Sequence, residues 1–220
     1  MINIKDYKTL IFDFDGVLIN SNKIKSDCFY NVSLKYGLKN AEILKKYHQD
    51  NGGISRQHKF DYFFLKILQK KNYLNDYNSI LKDYSSCVTS KILLAEKFDN
   101  YDLIFKKFKY NNLQIVSGSD QKELREIAKN LEIYNYFNNN IFGSPMNKDQ
   151  IFKNNLKNNK INLPALYFGD SKYDYLSAKN NKIDFVFISS WTEFDSWQPF
   201  CEINNILTYN SLKEFFSSIK

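Results

Sequence analysis

Two aspartates two positions apart, Asp13 and Asp15, close an apolar run in residues 10–21, LIFDFDGVLINS. Side chains of a strand point alternately up and down, so the pair shares a face if the strand runs on, or gathers at its mouth if it ends there. Crowded carboxylates are costly unless a cation or a shared proton relieves them, which points to metal chemistry. Three more polar groups follow along the chain: Ser117-Gly118-Ser119; Lys148, after Gly143-Ser144-Pro145; and Gly169-Asp170-Ser171, with Asp174 one helical turn on. Together they offer carboxylates for a divalent metal, hydroxyls and amides for phosphate oxygens, and a lysine to balance negative charge. Taken singly, each has a plainer reading: a solvated turn, a loop, a surface lysine, and in Asp174 a helix-capping aspartate.

These groups need elements to bring them together. Short runs rich in β-branched or aromatic residues at 9–14, 113–116, 140–142, 165–168 and 184–188 read as strands buried on both faces. Helical patterns at 121–131, 150–158 and 173–180 lie between most of them, and Asp120 with Glu123 supplies a capping-box signal. Such alternation predicts an α/β fold: a Rossmann-like parallel sheet flanked by helices. Ligands of such sheets sit beyond the carboxyl ends of the strands, where all four polar groups would converge. From residue 23 to 95 only helical periodicity occurs, with Phe60, Phe63, Phe64, Ile67 and Leu68 at helix spacing. That interval predicts an inserted, all-helical cap over 21–95, with 1–20 and 96–220 forming the core.

The ordered set Asp-x-Asp-Gly-Val, Ser-Gly-Ser, lysine and Gly-Asp-Ser-x-x-Asp resembles the four motifs of the haloacid dehalogenase superfamily of phosphohydrolases. The helical insert resembles the cap of its phosphoglycolate phosphatase and β-phosphoglucomutase branch. The resemblance implies that Asp13 is the nucleophile and Asp15 the general acid and base. It further implies that Ser117 and Lys148 hold the transferring phosphoryl group, with help from Ser119 and the amide of Gly118, and that Gly16 makes the tight turn beside the phosphate. Asp13, the Asp15 backbone carbonyl and Asp170 would bind the metal, with Asp174 a ligand or a support behind the ligands. All-oxygen coordination, with no His or Cys adjoining these motifs, favours Mg²⁺.

The expected function is therefore a Mg²⁺-dependent phosphomonoesterase acting on a small phosphorylated metabolite, phosphoglycolate or a sugar phosphate. The paired aspartates argue against a dehalogenase, which lacks the second one. A sugar phosphomutase is the alternative; where its branch has an early cap histidine this chain has Lys25, which weakens it. Gly53-Ile54-Ser55-Arg56 resembles the stretch in which that branch places an arginine for a distal phosphate, so Arg56 either grips an anionic tail or faces solvent at a helix start. A catalytically silent binding protein is disfavoured, since no catalytic position is missing. A serine hydrolase built on Gly169-Asp170-Ser171 lacks a histidine after Ser171. There is no Gly-Lys-Ser/Thr phosphate loop.

Composition bounds the rest. A net charge of +7 comes from lysines scattered in singles and pairs, which argues against nucleic acid or membrane as partner. Three cysteines, Cys28, Cys87 and Cys201, fit neither a disulfide framework nor a zinc pattern and read as reduced, packed thiols. No apolar stretch reaches the ~20 residues of a membrane span and the N-terminus has no signal-peptide core, so a cytoplasmic enzyme is expected; its oligomeric state is not legible in the sequence, a monomer being slightly favoured.

Overall fold

The first apolar run forms strand β1 (Thr9–Phe12), buried along its whole length. It pairs in parallel on both sides, with β2 (Asn112–Asp120) and with β4 (Ala165–Gly169). With β3 (Ile141–Ser144), β5 (Asp184–Ile188) and β6 (Leu207–Tyr209) they make a parallel six-stranded sheet in the order β3-β2-β1-β4-β5-β6. The chain steps outward from β1 to β3, then returns to the other side of β1 as β4. The crevice of such a reversal opens at the carboxyl ends of β1 and β4, where Asp13 and Asp170 stand. This computed structural model describes residues 3–108 and 111–219.

Strand parity splits the core in two. Leu10 and Phe12 face one cluster with Phe105, Leu124 and Phe215, which come from α5 (Tyr101–Lys107), α6 (Gln121–Asn130) and α10 (Leu212–Ser218). Ile11 faces the other, with Ile151, Phe152 and Ala178 from α7 (Lys148–Lys157) and α8 (Lys172–Asn180). Phe12 stacks on Phe168 at 5.1 Å and meets Phe105 edge-on. Each fully buried side chain of this size contributes about 1.5–3 kcal/mol, so a shift of β1 by one residue would forfeit both cores.

Between β1 and β2 lies the helical cap: α1 (Asn22–Ser33), α2 (Leu38–Asp50), α3 (Arg56–Tyr62) and α4 (Leu74–Ile92), with one π-helical stretch at Phe63–Ile67. Phe60, Phe63 and Phe64 are buried, as their helix spacing requires.

Two expectations need correction, and one strand was not foreseen. Cys28 on α1 and Cys87 on α4 are joined in a disulfide, and only Cys201 is a free, buried thiol. The two sit 59 residues apart, and only the packing of α1 against α4 brings their Cα atoms to 5.8 Å. The edge strand β6 escaped notice because it is short and mostly exposed, so it lacks an apolar run; the helix before it is α9 (Trp197–Ile203). The Asp120 carboxylate caps α6 through the Lys122 and Glu123 amides, but Glu123 does not complete a capping box, since its carboxylate turns to Arg56.

Candidate active site

Asp13 immediately follows β1 and is 3% exposed. Its Oδ1 accepts the Phe14 amide at 2.7 Å and its Oδ2 accepts Lys148 Nζ at 2.7 Å. Lys148, the first residue of α7, is wholly buried and also meets Asp174 Oδ1 at 2.5 Å and the Tyr167 hydroxyl at 3.1 Å. Tyr167 in turn donates to Asp174 Oδ1 at 2.6 Å. The other Asp174 oxygen accepts the Ser171 amide and hydroxyl, closing a capping box on α8. Through these bonds Asp174 orients both Lys148 and the loop after β4.

Asp170 follows β4, 6% exposed, and accepts Asn22 Nδ2 at 2.6 Å. Asp13, Asp170 and Asp174 place carboxylate oxygens within 4.8 Å of one another. Three buried carboxylates face one ammonium, so the cluster carries excess negative charge in a medium that solvates it poorly. Burial first, and then the neighbouring carboxylates, push the Asp170 carboxyl well above its ordinary range. Burial likewise lifts Asp13 to about 7 against the pull of Lys148. An all-oxygen donor set short of positive charge fits a hard divalent cation, and Asp13, Asp170 and Asp174 are the carboxylates that could hold it. Gly16, at φ +78°, touches this cluster: a Cβ there would run into the Asp170 carboxylate and the Asn22 amide.

The Asp15 carboxylate lies apart from that group. It accepts Ser21 Oγ at 2.6 Å, Ser119 Oγ at 2.8 Å and Ser117 Oγ at 3.3 Å, and forms a 2.5 Å ion pair with Lys25 of α1. Burial alone would raise its pKa, but Lys25 and the Ser21 and Ser119 hydroxyls outweigh burial and hold Asp15 below the usual carboxylate range. Ser117, Gly118 and Ser119 lie in the last part of β2, beyond a register shift after Val116. A Cβ on Gly118 would strike the backbone carbonyl of Gly53 in the cap, so this glycine lets the cap loop seat directly on the core.

The structure thus gathers Asp13, Asp15, Gly16, Ser117, Gly118, Ser119, Lys148, Asp170 and Asp174 at one end of the sheet. Arg56 stands farther out, neither in solvent nor free: its guanidinium forks onto Glu123 of α6 at 2.6 and 2.8 Å. Tyr167, Asn22, Glu123, Glu193, His48 and Lys59 escaped sequence reasoning. Tyr167 sits inside an apolar strand, where its hydroxyl is the only local sign. His48 and Lys59 line the same cavity as Asp13 and Asp15, from the cap side.

Comparison with known proteins agrees with this geometry. The model of the haloacid dehalogenase-like hydrolase family matches residues 10–188. A phosphorylated carbohydrates phosphatase of Thermotoga maritima is 25% identical over 191 residues, 82% of this chain and 84% of its own length. A predicted phosphoglycolate phosphatase from Haemophilus somnus superposes with a TM-score of 0.73 at 15% identity, covering 96% of this chain and 97% of its own. A candidate β-phosphoglucomutase from Bacteroides vulgatus gives 0.72 at 14% identity, covering 96% and 87%.

Proposed function

This chain belongs to the haloacid dehalogenase-like hydrolase family, and from that premise we propose that it is a Mg²⁺-dependent phosphatase of small phosphorylated carbohydrates or related metabolites. The observation that carries the reading is Asp13, buried at the sheet's mouth, held by Lys148 and followed two residues later by the separately paired Asp15. The Thermotoga maritima relative, a phosphatase of phosphorylated carbohydrates, supports the substrate class.

In this reading Lys148 and the Phe14 amide aim one Asp13 oxygen in line with the phosphorus atom of the bound ester. A bond from that oxygen to phosphorus forms as the bond to the leaving oxygen breaks; Asp15, ionised in the free site beside Lys25, takes up the proton of the ester's monoanion as it binds and gives it to the departing alkoxide. Asp15 then takes a proton from water, whose oxygen attacks the aspartyl phosphate and releases inorganic phosphate with Asp13 restored. Ser117, Ser119 and the Gly118 amide hold the phosphoryl oxygens, on the same side as Asp15, to which the two serine hydroxyls donate in the free site. Mg²⁺, held by Asp13, Asp170 and the Asp15 carbonyl, would offset the repulsion between nucleophile and phosphate.

The test is phosphate release from a panel of phosphoesters with Mg²⁺ and with chelator, beside conversion of β-glucose 1-phosphate to the 6-phosphate. Mg²⁺-dependent hydrolysis is expected, and Asp13→Asn abolishes it while the protein stays folded, because an amide of nearly the same shape is a poor nucleophile. Isomerisation without net hydrolysis would instead identify a mutase, and normal activity in Asp13→Asn would remove the nucleophile assigned here.

A further inference from the structure

The phosphatase reading places the phosphoryl end of the ligand but leaves the other end open. The cavity that begins at Asp13 continues between core and cap to α2 and α3, where it is lined by His48 and Lys59. Lys59 is 2% exposed. Its Nζ touches one polar partner, His48 Nδ1 at 2.7 Å, and among the described residues no carboxylate lies within ion-pair distance of it. A neutral imidazole accepts that bond without supplying charge. The Phe29 ring lies 5.5 Å from the ammonium and packs at a tilt of 32° against His48 at 4.4 Å, so the pair rests on an apolar floor. A buried ammonium without a counter-charge is costly, and proteins rarely keep one unless a ligand repays the cost.

Other cations around the cavity are already spent. Lys25 is paired with Asp15 and Ser119. The Arg56 charge is forked on Glu123 through both terminal nitrogens, which leaves only its buried Nε without a partner, and Lys148 sits between Asp13 and Asp174.

We infer that Lys59, oriented by His48, is a second anion site: it recognises a carboxylate or phosphate carried on the leaving group of the substrate. The ligand class is then a doubly anionic phosphomonoester, its phosphoryl group at Asp13 and its second anion at Lys59. This deepens the phosphatase reading and rests on it for the end that reacts. Burial, with Lys25 adding to it, pushes the Lys59 ammonium down to about 7 in the unliganded protein, the behaviour of a cation waiting for its counter-ion.

The test avoids turnover, so that it can fail separately from the phosphatase assay. Calorimetry in Mg²⁺ compares three non-hydrolysable probes: 3-phosphonopropionate, propane-1,3-diphosphonate and propylphosphonate, which lacks a second anion. At least one doubly anionic probe binds about tenfold or more tighter than propylphosphonate, and which one does so separates a carboxylate tail from a phosphate tail. Lys59→Met, which fills the same space, collapses that ratio toward one, as does His48→Phe in part, by freeing the amine to swing. Circular dichroism and a melting curve accompany each variant, and Lys59→Gln stands in if the methionine variant does not fold. Equal binding of all three probes by the unmodified protein overturns the inference, as does an unchanged ratio in a folded Lys59 variant.

Discussion

At the residue scale the site is a problem of charge balance. Lys148 is the only cation in direct contact with Asp13 and Asp174 among the described residues, and all three are buried. Removing one member of a buried ion group leaves the others uncompensated, at about 3–5 kcal/mol. Lys148→Met, measured by denaturant titration in chelator, should lose stability of that order as well as activity; a loss under 1 kcal/mol would mean that the cluster sheds its charge by protonation instead. Lys59 offers a pH test. The folded amine titrates near 7 and the unfolded one near its ordinary 10.5, so between these values the unfolded chain holds more protons. Stability must then rise with pH across that window, by an amount on the order of a few kcal/mol. Lys25, Lys148, Asp15, Glu193 and His48 face the same group, so the quantity to follow is the difference between unmodified protein and Lys59→Met. That difference should shrink from pH 7 to 10, and a pH-independent difference would show that Lys59 is not a buried cation.

At the element scale the question is how the cap meets the core. The Gly52-Gly53 turn lies over Ser171, and a Cβ built on Gly53 would stand 3.4 Å from Lys148 Nζ. Its seat is the bare backbone of Gly118. Arg56 with Glu123, and Ser26 and Gln49 with Glu193, join cap and core around that seat. Gly118→Ala inserts a methyl group between two backbones, so the cap can close only by shifting. Displacements near 1 Å cost about a hundredfold in rate, and kcat/KM should fall by about ten- to a hundredfold with the melting temperature nearly unchanged. Full activity in this variant would show that turnover does not need the seated cap.

At the scale of the whole molecule, the Cys28–Cys87 bond ties the first cap helix to the last and closes a loop of 59 residues. Constraint of the unfolded chain by a loop of that length is worth about 4 kcal/mol in the entropic treatment. Reduction, or the Cys28→Ser and Cys87→Ser pair, should lower cap stability by up to that amount, read as a drop in melting temperature between oxidised and reduced samples; coincident curves would show that the bond contributes nothing. Such bonds persist in oxidising compartments and are reduced in a cytosol, so alkylation of thiols at lysis also reads the compartment that holds the protein. No helix of the described residues is long and apolar enough to cross a membrane.

The sequence by itself determined the alternation of strands and helices, the helical insert and the convergence of Asp13, Asp15, Ser117, Lys148 and Asp170. It could do so because each of these residues lies in the last part of an apolar strand or within a few residues of its end, and parallel strands bring their carboxyl ends to one edge whatever joins them. Tertiary structure alone decided that Arg56 answers to Glu123 across 67 residues, that Cys28 finds Cys87, and that Lys59 lies buried on His48 without a carboxylate. Those outcomes depend on which faces meet and how far water is excluded. Charge state and reactivity in a crevice are set by neighbours that no local periodicity records.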